Sequence, residues 1–212
     1  MIPLALKLKK ERYREITKAQ DLIVEELYKV FDKAVIHGGT SIWRCYKGNR
    51  FSEDIDVYIT KDKEKLEFFF FNLKKKGFIV EKKKIKENSL FSNLKLNKTY
   101  VRLEAIFKTY KEGVLKEYEN ADGNFITVYT LSAEELIKEK IDAYSRRLKI
   151  RDMYDIFFLL RYVKDKENIK QELIKFVKLF KDPIDENELK ILIFDGIAPT
   201  KKKMLEYITH YI

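Results

Sequence analysis

Glycine and proline are scarce in this chain, at 7 and 3 of 212 residues. So little turn chemistry excludes a collagen-like or Pro/Gly-rich disordered chain and predicts long regular elements joined by short loops. There is one cysteine, Cys45, which excludes an internal disulfide and fits a cytosolic, cytoplasmic setting. Cys45 has no Cys- or His-rich neighbourhood, so it reads as a packing residue. No apolar run approaches a membrane span, and the apolar stretch in "MIPLALKLKKERYREI" is shorter than the h-region of a signal peptide. No internal repeat is present. What the chain has in quantity is charge. Charged residues make up 37% and hydrophobic ones 45%, with the signs mixed, which predicts a real core rather than polyelectrolyte disorder. Lys and Arg outnumber Asp and Glu by 44 to 34, for a net charge of +10. That surplus reads as attraction to an anionic partner, nucleic acid or nucleotide, or as a Lys-rich solubilising surface.

Ile16, Leu22, Ile23, Leu27, Val30 and Phe31 recur mostly at three- and four-residue steps and predict a helix over 9–31. "KAVI" reads as a short strand ended by Gly38 and Gly39, and "TSIWRCYKG" as a helix that starts at those glycines. "EDIDVYIT" alternates as a strand does. "KEKLEFFFFNLKKKG" reads as a helix with Gly77 closing it. "FIVEKKKIK", "SLFSNLKLN" and "YVRLEAIFK" follow as strands between polar turns. Beyond residue 130 the pattern turns helical. "LSAEELIKEKIDAYSRRLK" opens with Ser132 and Glu135 in capping-box spacing, and "RDMYDIFFLLRYV" follows it. Two further helices are expected at 168–180 and 199–212. The expectation is an α/β domain over 1–130 and a helical domain over 131–212. No Pro/Gly/Ser linker marks the seam, so the two should pack together with a cleft between them.

Two features of this outline carry chemistry. Side chains at i and i+2 of a strand point the same way, so Asp54 and Asp56 project from one face of "EDIDVYIT". Two close carboxylates repel and are costly to bury without a cation, and Mg²⁺ is the natural hard, oxygen-loving partner. The same spacing also fits a strand with one solvated face. Glu104 alternates with Leu103 and Ala105 in "YVRLEAIF", and a strand beside the first would bring it to the aspartates. Three such carboxylates can hold two Mg²⁺ ions, one activating a hydroxyl and one neutralising a triphosphate and the leaving pyrophosphate. Glu104 also reads as an ion pair with Arg102 or an edge lysine. Gly38 and Gly39 at a helix start let backbone approach a phosphate, with Thr40 as a hydroxyl donor, or serve only a tight strand-to-helix turn.

Together, "GGTSIWRCYKGNRFSEDID" resembles the first motif of DNA polymerase β-like nucleotidyltransferases, and most closely that of the AbiEii/AbiGii toxin family of abortive-infection systems. Arg50, Phe51, Ser52, Asp54, Ile55 and Asp56 stand in its Arg-Phe-Ser-x-Asp-Ile-Asp pattern. His37 stands where the family often has a basic residue. "LSAEELIKEKIDAYSRRLKIRDMYDIFFLL" is similar to the family's Lys-containing helix followed by Arg-Asp-x-x-Asp, with Lys140, Arg147, Arg151, Asp152 and Asp155 in place. The resemblance spans roughly residues 30–165. It implies an α+β polymerase β-like core with a mixed sheet, followed by a C-terminal helical bundle. It implies a metal set of Asp54, Asp56 and Glu104, and a catalytic set that adds Lys140 and Asp152. Gly38, Gly39, Thr40, Ser52, Lys140, Arg147 and Arg151 would bind the nucleotide triphosphate. Transfer of a nucleotide to an acceptor such as tRNA, and a cognate antitoxin protein, are the implied partners. Lys140 also shares the helix's apolar stripe with Leu136 and Tyr144, where an ammonium needs an anion or a route to solvent. Arg151, Asp152 and Asp155 equally read as an ion-pair network at the start of the next helix. Two other functions stay open at the level of sequence: transfer to a small molecule or protein, and a non-catalytic nucleic-acid-binding protein on the same scaffold.

Overall fold

The structure, a computed structural model, describes residues 2–110 and 113–212. Its elements in chain order are α1 (Leu4–Lys7), α2 (Glu11–Val30), β1 (Val35–His37), α3 (Gly38–Cys45), β2 (Ile55–Ile59) and α4 (Lys63–Lys75). Next come β3 (Ile79–Ile85), β4 (Ser89–Leu96), β5 (Thr99–Phe107), β6 (Val114–Glu119) and β7 (Phe125–Thr130). Helices α5 (Ala133–Arg147), α6 (Ile150–Leu159), α7 (Glu167–Lys178), α8 (Leu189–Leu192) and α9 (Lys201–Tyr211) complete the chain. Two compact units result: Met1–Lys47 with Phe51–Thr130, and Gly48–Arg50 with Leu131–Ile212.

The first unit is built on a seven-stranded mixed sheet of order β3-β4-β5-β2-β1-β7-β6. Strand β2 runs antiparallel to β1 and parallel to β5, while β1 runs parallel to β7. Alternation sets its two faces apart. Ile55, Val57, Ile59, Leu90, Leu94, Val101, Leu103 and Ala105 are buried on one face, against which α2 and α4 pack. Helix α2 buries Ile16, Ala19, Ile23, Val24, Leu27 and Val30, the helical-period stripe that the sequence carries. Leu103→Ala in this core would cost about 2–5 kcal/mol. The opposite face carries Asp56, Tyr58, Arg102 and Glu104, all partly or largely exposed.

Strands β6 and β7 are additions to the sequence outline. Edge strand β6, with Lys116, Glu117 and Glu119, lacks the apolar alternation that marks a strand. Helix α4 starts at Asp62, whose carboxylate accepts from the Lys65 N–H at 3.0 Å, and Gly77 follows its end at φ +90°. Cys45 is a buried thiol pushed up to about 12 by burial, in keeping with a packing role.

In the second unit, α5 carries the full capping box. Ser132 accepts from the Glu135 N–H at 3.2 Å, and the Glu135 carboxylate accepts from the Ser132 N–H at 2.9 Å. Helix α5 packs on α6 and α7, and α9 packs on α6 and α7. Among the described residues, no helix is long and apolar enough to cross a membrane.

Candidate active site

Every group of the acidic site lies in the first unit. Strand β1 ends at His37 and α3 begins at Gly38, with φ +68°, a left-handed conformation that favours glycine. Space demands glycine as well: a Cβ on Gly38 would sit 2.1 Å from Asp56 Oδ2. The chain therefore brings the backbone at the start of α3 against the Asp56 carboxylate. Thr40 is wholly buried, and its hydroxyl donates to the Asp54 carbonyl. Gln20 of α2, also buried, donates its amide N–H to the Ser52 carbonyl at 2.9 Å and reaches Thr40 Oγ1 at 3.5 Å. Thr40 and Ser52 thus act here as struts that hold the segment before β2 to α2 and α3.

Register then assembles the carboxylates. Asp56 pairs with His37 across the antiparallel ladder and with Glu104 along the parallel one. Asp54 lies just before the first residue of β2. Arg102 grips it with both ends of its guanidinium: Nε donates to Oδ1 at 2.8 Å and Nη2 to Oδ2. Arg102 and Glu104 are two residues apart on one strand and so share its face. The Glu104 carboxyl is raised above its usual range, first by burial and then by the negative charges of Asp56 and Asp54, with Arg102 opposing. The pair of His37 and Tyr58 rings stacks at 4.1 Å beside Asp56, which places His37 in packing on this face.

Asp54, Asp56 and Glu104 gather on one face of the sheet, where Arg102 pairs with Asp54. The donors are all oxygens, which suits Mg²⁺. Among the described residues, no three acidic, histidine or cysteine side chains are gathered tightly enough to be a formed cation site. Both Asp54 oxygens face Arg102, so a cation held by all three carboxylates must share or displace that contact. The oxygen donors of Asp56 and Glu104 suit a hard cation.

Arg50, Lys140, Arg147, Asp152 and Asp155 form an ion-pair network within the second unit. Asp155 is fully buried and accepts from Arg50 Nε and Nη2, each at 2.8 Å, and from the Lys140 ammonium at 2.8 Å. Asp152, equally buried, accepts from Arg147 Nε and Nη2 at 2.7 Å each and lies 3.6 Å from Lys140. Burial pushes the Asp155 carboxyl up, but the Arg50 and Lys140 charges outweigh it and hold the group below its usual range. Arg50 is raised against its own desolvation by Asp155. Lys140 thus meets its anion inside the unit, from α6. Arg151, on the same helix, is half-buried.

Sequence reasoning did not find Gln20 or the grip of Arg102 on Asp54. A signal existed for each. Gln20 falls on the apolar stripe of α2, where a polar side chain needs a partner. Arg102 lies on the Glu104 face of its strand.

A mixed sheet with carboxylates on adjacent strands and a Gly-led helix beside them is an arrangement that suits a nucleotidyltransferase. The chain belongs to the nucleotidyltransferase AbiEii toxin family of type IV toxin–antitoxin systems, whose family model matches residues 22–205. Nucleotide triphosphate as substrate and an antitoxin as partner are properties of that class. No curated protein sequence matches the chain. Among solved structures, MenT4, a nucleotidyltransferase toxin from Mycobacterium tuberculosis, is 17% identical with a TM-score of 0.66, covering 98% of this chain and 85% of that one. JHP933 from Helicobacter pylori is 20% identical with a TM-score of 0.65, covering 95% of this chain and 89% of that one. At these identities the likeness is one of fold.

Proposed function

We propose that the chain is a Mg²⁺-dependent toxin that moves a nucleoside monophosphate from a nucleotide triphosphate onto the 3′ hydroxyl of an RNA, tRNA being the leading acceptor, in the cytoplasm. The observation that carries this reading is the register of Asp56 beside Glu104, with the start of α3 pressed against Asp56. In the reaction, a bond forms between the acceptor oxygen and the α-phosphorus. The bond from that phosphorus to the bridging oxygen breaks, pyrophosphate leaves, and the hydroxyl proton is released. Bound Mg²⁺ would supply charge neutralisation and Lewis acidity. Asp56 and Glu104 would hold it, joined by Asp54 when Arg102 yields. The N–H groups of Gly39 and Thr40 lie in the first turn of α3, where backbone donors suit a phosphate. Gln20 and the Thr40 hydroxyl fix the loop that carries Asp54.

We assign Lys140, Arg147, Asp152 and Asp155 to holding α5 on α6. A triphosphate contact by Lys140 would require Asp155 and Asp152 to release it. The net charge of +10 supports an RNA acceptor, because phosphate contacts supply much of such affinity. The test is incubation of purified protein with total tRNA, MgCl₂ and each α-labelled NTP. Label should enter RNA with wild type, fall steeply as salt rises, and drop about a thousandfold in Asp56→Asn. Full labelling by a folded Asp56→Asn protein would overturn the assignment.

A further inference from the structure

The solvent face of the sheet does not end at the carboxylates. Register continues the Asp56–Glu104 row outward: Glu104 pairs with Phe91 of β4, and Phe91 with Lys84 of β3, the edge strand. The next row sets Arg102 beside Asn93 and Asn93 beside Lys82. One step further, Tyr100 pairs with Lys95. Aromatic and basic side chains therefore interleave from the sheet edge to the acidic site. Lys82 Nζ lies 5.4 Å from the Phe91 ring centroid, and Lys95 Nζ 5.3 Å from that of Tyr100. Phe91 is half-buried, Tyr100 is 45% exposed, and Lys82 and Lys84 are exposed. Glu81 is the acidic neighbour, 3.7 Å from Lys95.

A Lys-rich edge also discourages edge-to-edge strand pairing, but that role does not need a partly exposed phenylalanine on the row that leads to Glu104. Half-open aromatic faces flanked by cations are what single-stranded nucleic acid uses, bases stacking on rings and phosphates meeting lysines. Phe91 lies two strand spacings from Asp56, about 10 Å. That is the reach of a terminal nucleotide whose 3′ end lies at the carboxylates. Base-paired RNA hides its ring faces in the stack and could not use Phe91.

We infer that the β3–β4–β5 face is the dock for the single-stranded 3′ end of the RNA acceptor, with Phe91 stacking a base and Lys82, Lys84 and Lys95 meeting phosphates. This rests on the RNA-transfer reading, and the test keeps the two apart. The chain provides its own controls. Lys83 sits between Lys82 and Lys84 but points to the opposite face, 4.9 Å over the Phe70 ring. Phe68 is 55% exposed on α4.

The experiment measures binding of a 5′-fluorescein single-stranded RNA by anisotropy in Phe91→Ala, Lys84→Glu, Lys83→Glu and Phe68→Ala, together with KM values for RNA and NTP. Phe91→Ala should weaken RNA binding and raise the KM for RNA about tenfold, with the KM for NTP unchanged. Lys84→Glu should weaken binding several-fold, while Lys83→Glu and Phe68→Ala stay near wild type, and the single strand should outbind a blunt duplex. Equal losses in Lys83→Glu and Lys84→Glu would overturn the dock in favour of a diffuse field. A raised KM for NTP alone would give Phe91 to the donor nucleotide and overturn it too. If wild type labels no RNA, the transfer reading fails, but the anisotropy series still decides the dock: RNA binding that survives both Phe91→Ala and Lys84→Glu removes it.

Discussion

The two units each concentrate acidic side chains among basic ones, one set on an open strand face and the other buried. In the first, Asp54, Asp56 and Glu104 share a largely open strand face with Arg102, which pairs with Asp54. In the second, Asp152 and Asp155 are enclosed by Arg50, Lys140 and Arg147. Electrostatics separates them: the Glu104 carboxyl is raised and the Asp155 carboxyl lowered. We propose that the open carboxylates take a cation from outside. We propose that the buried, ion-paired network is scaffold. Residue type alone does not distinguish the two; burial and the direction of the carboxyl shift do.

The comparison breaks most visibly at Asp155. Asp155→Ala leaves Arg50 and Lys140 as buried charges without their shared anion and should cost about 3–5 kcal/mol in chemical denaturation. An equally stable variant would show the network to be dispensable. Gly38→Ala strains a left-handed backbone and drives a methyl into Asp56. It should cost about 1–3 kcal/mol and remove most transfer activity, in a protein whose circular dichroism is otherwise native. Retained activity would mean that Asp56 can move without consequence.

Titration sharpens the contrast. Asp155 has a lowered folded pKa, so its contribution is whole above the unfolded carboxyl pKa and is lost as pH falls through the folded value. Denaturation midpoints of wild type should fall in that acid window, and Asp155→Asn should flatten the slope there. Glu104 has the opposite sign: its raised carboxyl favours the fold at low pH, and that advantage is lost as pH rises through its folded value. The smallest effect is at Arg102, part of an exposed ion pair. Arg102→Met should change stability by less than about 1 kcal/mol, while Mn²⁺ affinity rises because Asp54 is released.

Much of this was legible in the sequence. The alternation of "EDIDVYIT" and "YVRLEAIF" fixes which face Asp56 and Glu104 take, and only the neighbouring of β2 and β5 had to be supplied by the fold. The sequence also placed Lys140 on an apolar stripe, where it needs an anion or a route to solvent. It could not say which, because Asp155 reaches Lys140 only through the packing of α6 on α5. Nor could it show that Asp54 precedes the strand and turns to Arg102, since i, i+2 spacing assumes regular strand at both positions. The Thr40 hydroxyl read as a ligand donor because its partner, the Asp54 carbonyl, is a backbone atom that no side-chain pattern reveals.

Divalent-cation binding tests the difference between the two clusters most directly. Mn²⁺ is titrated calorimetrically into wild type, Asp56→Asn and Asp152→Asn, each checked for native circular dichroism. Binding by wild type and Asp152→Asn, abolished in Asp56→Asn, is the expected result. Binding that persists in Asp56→Asn, or that disappears in Asp152→Asn, would contradict the assignment of the open acidic face as the cation site and the buried network as scaffold.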